Sequence, residues 1–184
     1  MSTLPASFAI VIEWENARFA ELRRTRALLD TLRAQLHALH AKAPSAAEVI
    51  LLFNEFDIDR KIVERVVREH LARADLAAKV RIVATKGLRY YQQKNHGAAL
   101  SDAEVVIFLD CDLIPEPDWL ENMLAAFRRP DIDVVAGETY VDCRGWYSKA
   151  MALFWFFPLR DPATHLERTH FFHANNVAFR RRVL

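Results

Sequence analysis

Apolar positions along this chain follow two alternating rhythms. Residues 8–14, 48–53, 80–84 and 104–109 are short runs rich in β-branched and aromatic side chains, most of them apolar at nearly every position. All four read as strands; the 104–109 run predicts one buried on both faces, as in the middle of a parallel sheet, and 48–53 a second buried one. Between them the apolar residues recur at helical spacing. Leu22, Leu29, Leu32, Leu36 and Leu39 fall on one stripe of a long helix predicted over 17–40, with Arg23, Arg24, Arg26 and Arg33 largely off it. We read the stripe as core packing and the arginines as a solvated face, with Asn16 placed to cap the helix. Ile62, Val63, Val66, Val67 and Leu71 mark a second helix over 59–76. A short helix is expected over 90–101, after a loop at Gly87. Pro117 is expected to open a further helix, in the position where its missing N–H costs little, and Pro130 to stop it. Residues 133–141 read as a fifth strand. This alternation predicts an α/β, three-layer domain, a mostly parallel central sheet flanked by helices.

The 184 residues fit one domain, 1–184, with room for a real core, and a hydrophobic share of 52% argues against disorder. Lys+Arg is 25 and Asp+Glu is 24, for a net charge of +1, so there is no electrostatic case for nucleic acid as the main partner. Two cysteines, Cys111 and Cys143, form no Cys-x-x-Cys, which indicates neither a zinc ribbon nor a disulfide scaffold and suits a reducing, cytoplasmic compartment. The first residues lack the basic character of a signal peptide, and no apolar run reaches the ~18–20 residues needed to span a bilayer. Residues 146–158 are strongly aromatic. We expect them to pack against the sheet. The alternative is a weak contact with a membrane surface, peripheral at the inner membrane face, or a cover over an acceptor site.

The chemistry concentrates at Asp110 and Asp112, one residue apart at the carboxyl end of the 104–109 run. Open α/β sheets bind ligands at that end of their strands. Hard divalent cations take carboxylate oxygens, and Mg²⁺ is commonly held by one or two of them together with substrate phosphates. The two aspartates are therefore candidate ligands for a metal that grips a nucleotide diphosphate, against the plainer reading that they solvate a strand end. A haloacid-dehalogenase-type phosphohydrolase also carries Asp-x-Asp after a buried strand, with the first Asp as nucleophile. Its motif normally lies in the first strand and continues with Gly or Thr, whereas here three strands precede and Leu113 and Ile114 follow. A dinucleotide-binding fingerprint is missing, since the four glycines make no G-x-G-x-x-G after the first strand. His165, His170 and His173 match no metal-site spacing.

Taken in order, several segments resemble the family 2 glycosyltransferases, inverting enzymes of GT-A fold that use nucleotide sugars. Residues 9–16 resemble the opening strand with its terminal Asn, and 48–52 the second strand. Lys94, Asn95, His96 and Gly97 resemble the family's Arg-Asn-x-Gly element. Residues 105–112 and 115–120 are close to its metal motif and the helix after it, and 174–181 to its late acceptor-side segment. The resemblance implies a GT-A-like, Rossmann-related domain that transfers a sugar from a nucleotide-diphosphate donor to an acceptor hydroxyl with inversion. It implies that Asp110 and Asp112 hold Mn²⁺ or Mg²⁺, and that Asp110 also faces the ribose. It places Glu13, Glu15, Asn54 and Glu55 around the base and ribose, Lys94 and Asn95 near the nucleotide, and Glu138, Asn175 and Asn176 toward the sugar or acceptor. The acceptor, whether carbohydrate, lipid or protein, is not legible.

The chain also departs from the family. An acidic Asp-Gly-Ser-like turn after the second strand is replaced by Phe53, Asn54, Glu55 and Phe56, and Gly137-Glu138 stands where Gly-Gly is usual. The family pattern continues past its Asn-Asn segment into a helix carrying the general base. By this resemblance the catalytic base lies beyond residue 184 and the C-terminal catalytic segment is absent. A non-catalytic nucleotide-sugar-binding or interaction module is therefore the alternative function.

Overall fold

The computed structural model describes residues 4–15, 22–141, 145–154 and 166–184. Among them, six strands form one sheet: β1 (Ser7–Glu13), β2 (Ala46–Asn54), β3 (Lys79–Thr85), β4 (Val105–Asp110), β5 (Val134–Ala136) and β6 (Asn176–Arg180). Their order across the sheet is β3-β2-β1-β4-β6-β5. The pairs β1–β2, β1–β4 and β2–β3 are parallel, while β6 runs antiparallel to both β4 and β5. Every residue of β4, and β1 from Phe8 onward, is buried, as expected of strands covered on both faces.

Because side chains alternate across a strand, each strand serves two cores. Phe8, Ile10 and Ile12 of β1, with Leu51 and Phe53 of β2, face one side. There they meet α1 (Leu22–Lys42), α2 (Arg60–His70) and α4 (Trp119–Ala126) through Leu29, Leu32, Val63, Val66, Leu120 and Leu124. Val11, Ile50, Leu52, Val106 and Phe108 face the other side, against Ala98 of α3 (Tyr90–Ala99). A Cβ on Gly97 of α3 would stand 2.5 Å from Val11 Cγ1 and 2.7 Å from Leu52 Cδ1, so a side chain there would hold the helix away from the sheet. The helices on the way from β1 to β3 thus lie on one face, and the helix leading to β4 lies on the other. The order reverses between β1 and β4, and the crevice outside their carboxyl ends is the ligand position of an open α/β sheet.

The predicted three-layer α/β class holds, and several local expectations are corrected. The second helix stops at His70, not 76. There the N–H groups of Leu71 and Ala72 converge on the Val67 carbonyl, both at 2.8 Å, and the turn lets Leu76 reach the core. The helix predicted from Pro117 begins at Trp119, behind Asp118 at φ +61°. Its regular part ends at Ala126, so Pro130 is not what stops it. The fifth strand is only Val134–Ala136, and the acceptor-side segment supplies an unforeseen sixth strand, β6, that wedges between it and β4. The aromatic segment forms helix α5 (Trp146–Phe154), whose one buried side chain is Ala152. Trp146 is 82% exposed, so the expected packing of α5 against the sheet is not found. Residues 155–158 of that segment, and Asn16 with the start of the first predicted helix, lie outside the described residues.

Candidate functional site

At the reversal point, Glu13 of β1 and Asp110 of β4 are register partners. Both share strand parity with Val11 and Phe108, so both side chains turn toward α3. Lys94 projects from α3 into the same space and is only 2% exposed. Its Nζ lies 2.6 Å from Asp110 Oδ1. The Tyr90 hydroxyl donates to Asp110 Oδ1 at 2.9 Å and Oδ2 at 3.0 Å, and the Lys94 ammonium lies 4.6 Å from the Tyr90 ring centroid. A buried lysine requires such a partner, because an unpaired ammonium would lose its hydration without compensation. Asp110 also receives the anchor of its own backbone, whose N–H donates to the Asn175 carbonyl at 3.0 Å.

Negative charge is in excess around this pair. Glu13 is fully buried, and its Oε2 accepts from the Glu15 N–H at 2.8 Å. Its Oε1 has no hydrogen-bond partner. Burial, and next the neighbouring Asp110, push the Glu13 carboxyl up to about 8, although Lys94 opposes the shift. Asp112 is half-buried in the turn after β4. Its carboxyl is raised by burial and then by Asp110, against the pull of its backbone N–H, Arg24 and Lys94. Cys111, between the aspartates, turns into the opposite core, and burial raises its thiol well above the usual range.

The remaining predicted donor residues ring this centre at the strand ends. Asn54 is buried and organises its own turn: Nδ2 donates to Asp57 Oδ2 at 3.1 Å, and Oδ1 accepts from the N–H of Phe56 at 3.2 Å and of Gly87 at 3.3 Å. Gly87 has φ +73°, a conformation that suits glycine and lets the β3–α3 loop approach Asn54. Glu15 pairs with Arg89 at 3.9 Å. Glu55 is exposed, as is Asn95, which the helical turn points away from the cluster that its neighbour Lys94 enters.

On the predicted acceptor side, Asn175 Oδ1 accepts from Thr139 Oγ1 at 3.3 Å, and Glu138 is exposed. Asn176 is turned inward, where its Oδ1 accepts from Trp119 Nε1 at 2.9 Å. A Cβ at Gly137 would fall 2.2 Å from Asn176 Nδ2, so glycine at 137 makes room for this amide. Tyr90 and Arg89 were not singled out by sequence reasoning, and Trp119 was read only as part of the 115–120 segment after the metal motif. For Tyr90 a signal existed: it stands four residues before Lys94, which places both on one helix face.

Whether a divalent cation suits these residues can be judged from the donor set. Among the described residues no three His, Cys, Asp or Glu side chains converge on a point. Asp110 is already engaged by Lys94 and Tyr90, while Asp112, two residues on, adds a second hard oxygen donor. One or two carboxylates with remaining positions left to phosphate oxygens is a donor set that fits Mg²⁺ or Mn²⁺ bound with a nucleotide.

Comparison with known proteins places this geometry in context. A family model described as "Glycosyl transferase family 2" matches residues 21–184. Among solved structures, the chain is similar to the mannosyltransferase PcManGT of Pyrobaculum calidifontis, solved in complex with GDP-Man and Mn²⁺. The TM-score is 0.62 at 19% identity, covering 99% of this chain and 46% of that one. It is also similar to residues 1–349 of TarS from S. aureus, with a TM-score of 0.53 at 21% identity over 76% of this chain and 37% of that one. A mycobacterial protein matches with a TM-score of 0.55 at 13% identity, over 97% and 54%. At these identities the likeness shows the fold, which is GT-A-like. The chain spans about half of the solved relatives' length, or less.

Proposed function

The chain belongs to glycosyl transferase family 2, and from that premise we propose that it transfers a sugar from a nucleotide-diphosphate donor to an acceptor hydroxyl, with inversion and with a divalent metal. The observation that carries this reading is the carboxylate pair Asp110 and Asp112 beside the crevice between β1 and β4, where an open sheet takes its ligand. Asp112, with Asp110, would hold Mn²⁺ or Mg²⁺, which when bound stabilises the charge on the departing diphosphate by several kcal/mol without proton transfer.

The chain's own residues then prepare the site. Lys94 and Tyr90 hold Asp110 in one orientation at the rim. Glu15 and Arg89, with the turn organised by Asn54, frame the space in which base and ribose are cradled, and Glu55 and Asn95 stand at its edge. Asn175 and Glu138 lie toward the acceptor, whereas Asn176 acts through the Trp119 contact that fixes β6. In an inverting transfer the acceptor oxygen attacks the anomeric carbon opposite the leaving diphosphate. No general base is assigned among the described residues. The donor complex of PcManGT, with GDP-Man and Mn²⁺, supports this class of ligand.

Among the described residues no helix is long and apolar enough to cross a membrane. The exposed aromatic surface of α5 supports peripheral contact with a membrane surface, which in this reading is the inner membrane face.

Release of nucleoside diphosphate from GDP-mannose and UDP-N-acetylglucosamine tests the reading, with Mn²⁺ and with chelator. We expect metal-dependent release, reduced at least tenfold in Asp112→Asn, since the metal term is worth several kcal/mol. Metal-dependent binding without any release would favour the non-catalytic module instead.

A further inference from the structure

We infer that Tyr90 is a positioning residue of the donor site, fixing the plane of the Asp110 carboxylate; this rests on the donor-site reading above. An aspartate carboxylate turns easily about its last torsion, because that sp³–sp² well is broad. Lys94 alone does not hold it, for its ammonium is a compact point charge with rotatable donors that touches Oδ1 only. The Tyr90 hydroxyl reaches both oxygens, at 2.9 and 3.0 Å, and so adds a donor to Oδ2, which Lys94 does not touch; with Lys94 on Oδ1, two donors from separate points restrict the turn of the group.

The hydroxyl is itself referenced to the sheet. Tyr90 is the first residue of α3, and α3 is seated on β1 and β2 by the close approach at Gly97. The loop before it is tied to the ends of β1 and β2 by the Arg89–Glu15 pair and the Gly87–Asn54 hydrogen bond. The Tyr90 ring also packs against the Lys94 ammonium. Tyr90 therefore transmits the position of the β1 and β2 ends to Asp110, and through it to the diphosphate and metal beside Asp112.

Tyr90→Phe removes the hydroxyl and keeps the ring. The experiment measures calorimetric affinities for UDP, GDP and ADP in Mn²⁺, the Mn²⁺ midpoint at saturating nucleotide, and ligand-free melting, well below the melting temperature for the binding arms. Tyr91→Phe, on the exposed neighbouring ring, serves as control. The expected result is a Mn²⁺ midpoint raised about tenfold in Tyr90→Phe, the scale of one charged hydrogen bond, with Tyr91→Phe unchanged. A lowered melting temperature with an unmoved Mn²⁺ midpoint would mean a purely structural role and overturn the inference. So would wild-type behaviour in both readouts. If the wild-type chain binds none of the nucleotides with Mn²⁺, the donor-site reading itself fails and takes this inference with it.

Discussion

Glu13 is a buried carboxyl facing a second carboxyl across two parallel strands, and this governs how its charge responds to pH. Its value is pushed to about 8, chiefly by burial, against an unfolded value near ~4.3. For an acid raised on folding, the stabilising contribution is complete below the unfolded value. It is lost as pH rises toward the folded value, because the unfolded chain ionises first. In metal-free, nucleotide-free protein we expect stability to decline between pH ~4.5 and ~8 by on the order of 3–5 kcal/mol through this residue, and to level off above. Glu13→Gln should remove that slope, so that urea midpoints of variant and wild type diverge steadily over this range, with the variant favoured at high pH. Parallel curves would show that Glu13 ionises normally. Among the residues here, Glu13, Asp110 and Lys94 were legible from the sequence because each ends a strand or lies in a family-like motif. Tyr90 was marked only by its place four residues before Lys94, and the inward turn of Asn176 not at all, since both depend on which helix crosses which strand end.

Helix α3 is the element that assembles the site, carrying Tyr90 and Lys94 at one end and Gly97 at the other. Gly97→Ala sets a methyl 2.5 Å from Val11 Cγ1 and 2.7 Å from Leu52 Cδ1, both on fully buried side chains, so the helix or those side chains must shift. Overpacking of this kind costs about 1–3 kcal/mol. At ~2–4 °C per kcal/mol for a domain of this size, the melting temperature should fall by roughly 2–12 °C. An unchanged melting temperature would contradict the described seat of α3. β1, β2 and β4 were readable because burial leaves few polar positions in them, and the edge strand β3 because its short apolar run still stands out. β6 was not, because Asn175 and Asn176 at its start read as site residues rather than as the entry to a strand. The end of α2 was hidden as well, since residues 71–76 contain neither Gly nor Pro to mark the turn. α5 shows the reverse error: its aromatic content suggested burial, yet among its described side chains only Ala152 is buried.

At the scale of the whole molecule, topology sets where the candidate site lies. Crossover helices α1 and α2 on one face and α3 on the other accompany the reversal of sheet order between β1 and β4, and the chemically distinctive residues gather at that reversal. The alternation of runs and stripes in the sequence was enough to predict this architecture. It did not say which face each helix takes, and that choice is what brings Lys94 onto Asp110. The central claim is that this crevice binds a nucleoside diphosphate together with a divalent metal. Thermal unfolding with UDP, GDP and ADP, each with and without Mn²⁺, tests it most directly. A ligand at 100 times its dissociation constant adds about 2.7 kcal/mol, which for a domain of this size is a shift of roughly 5–11 °C. The account predicts such a shift for one nucleotide, and only when Mn²⁺ is also present. Equal melting temperatures across all six conditions would contradict it.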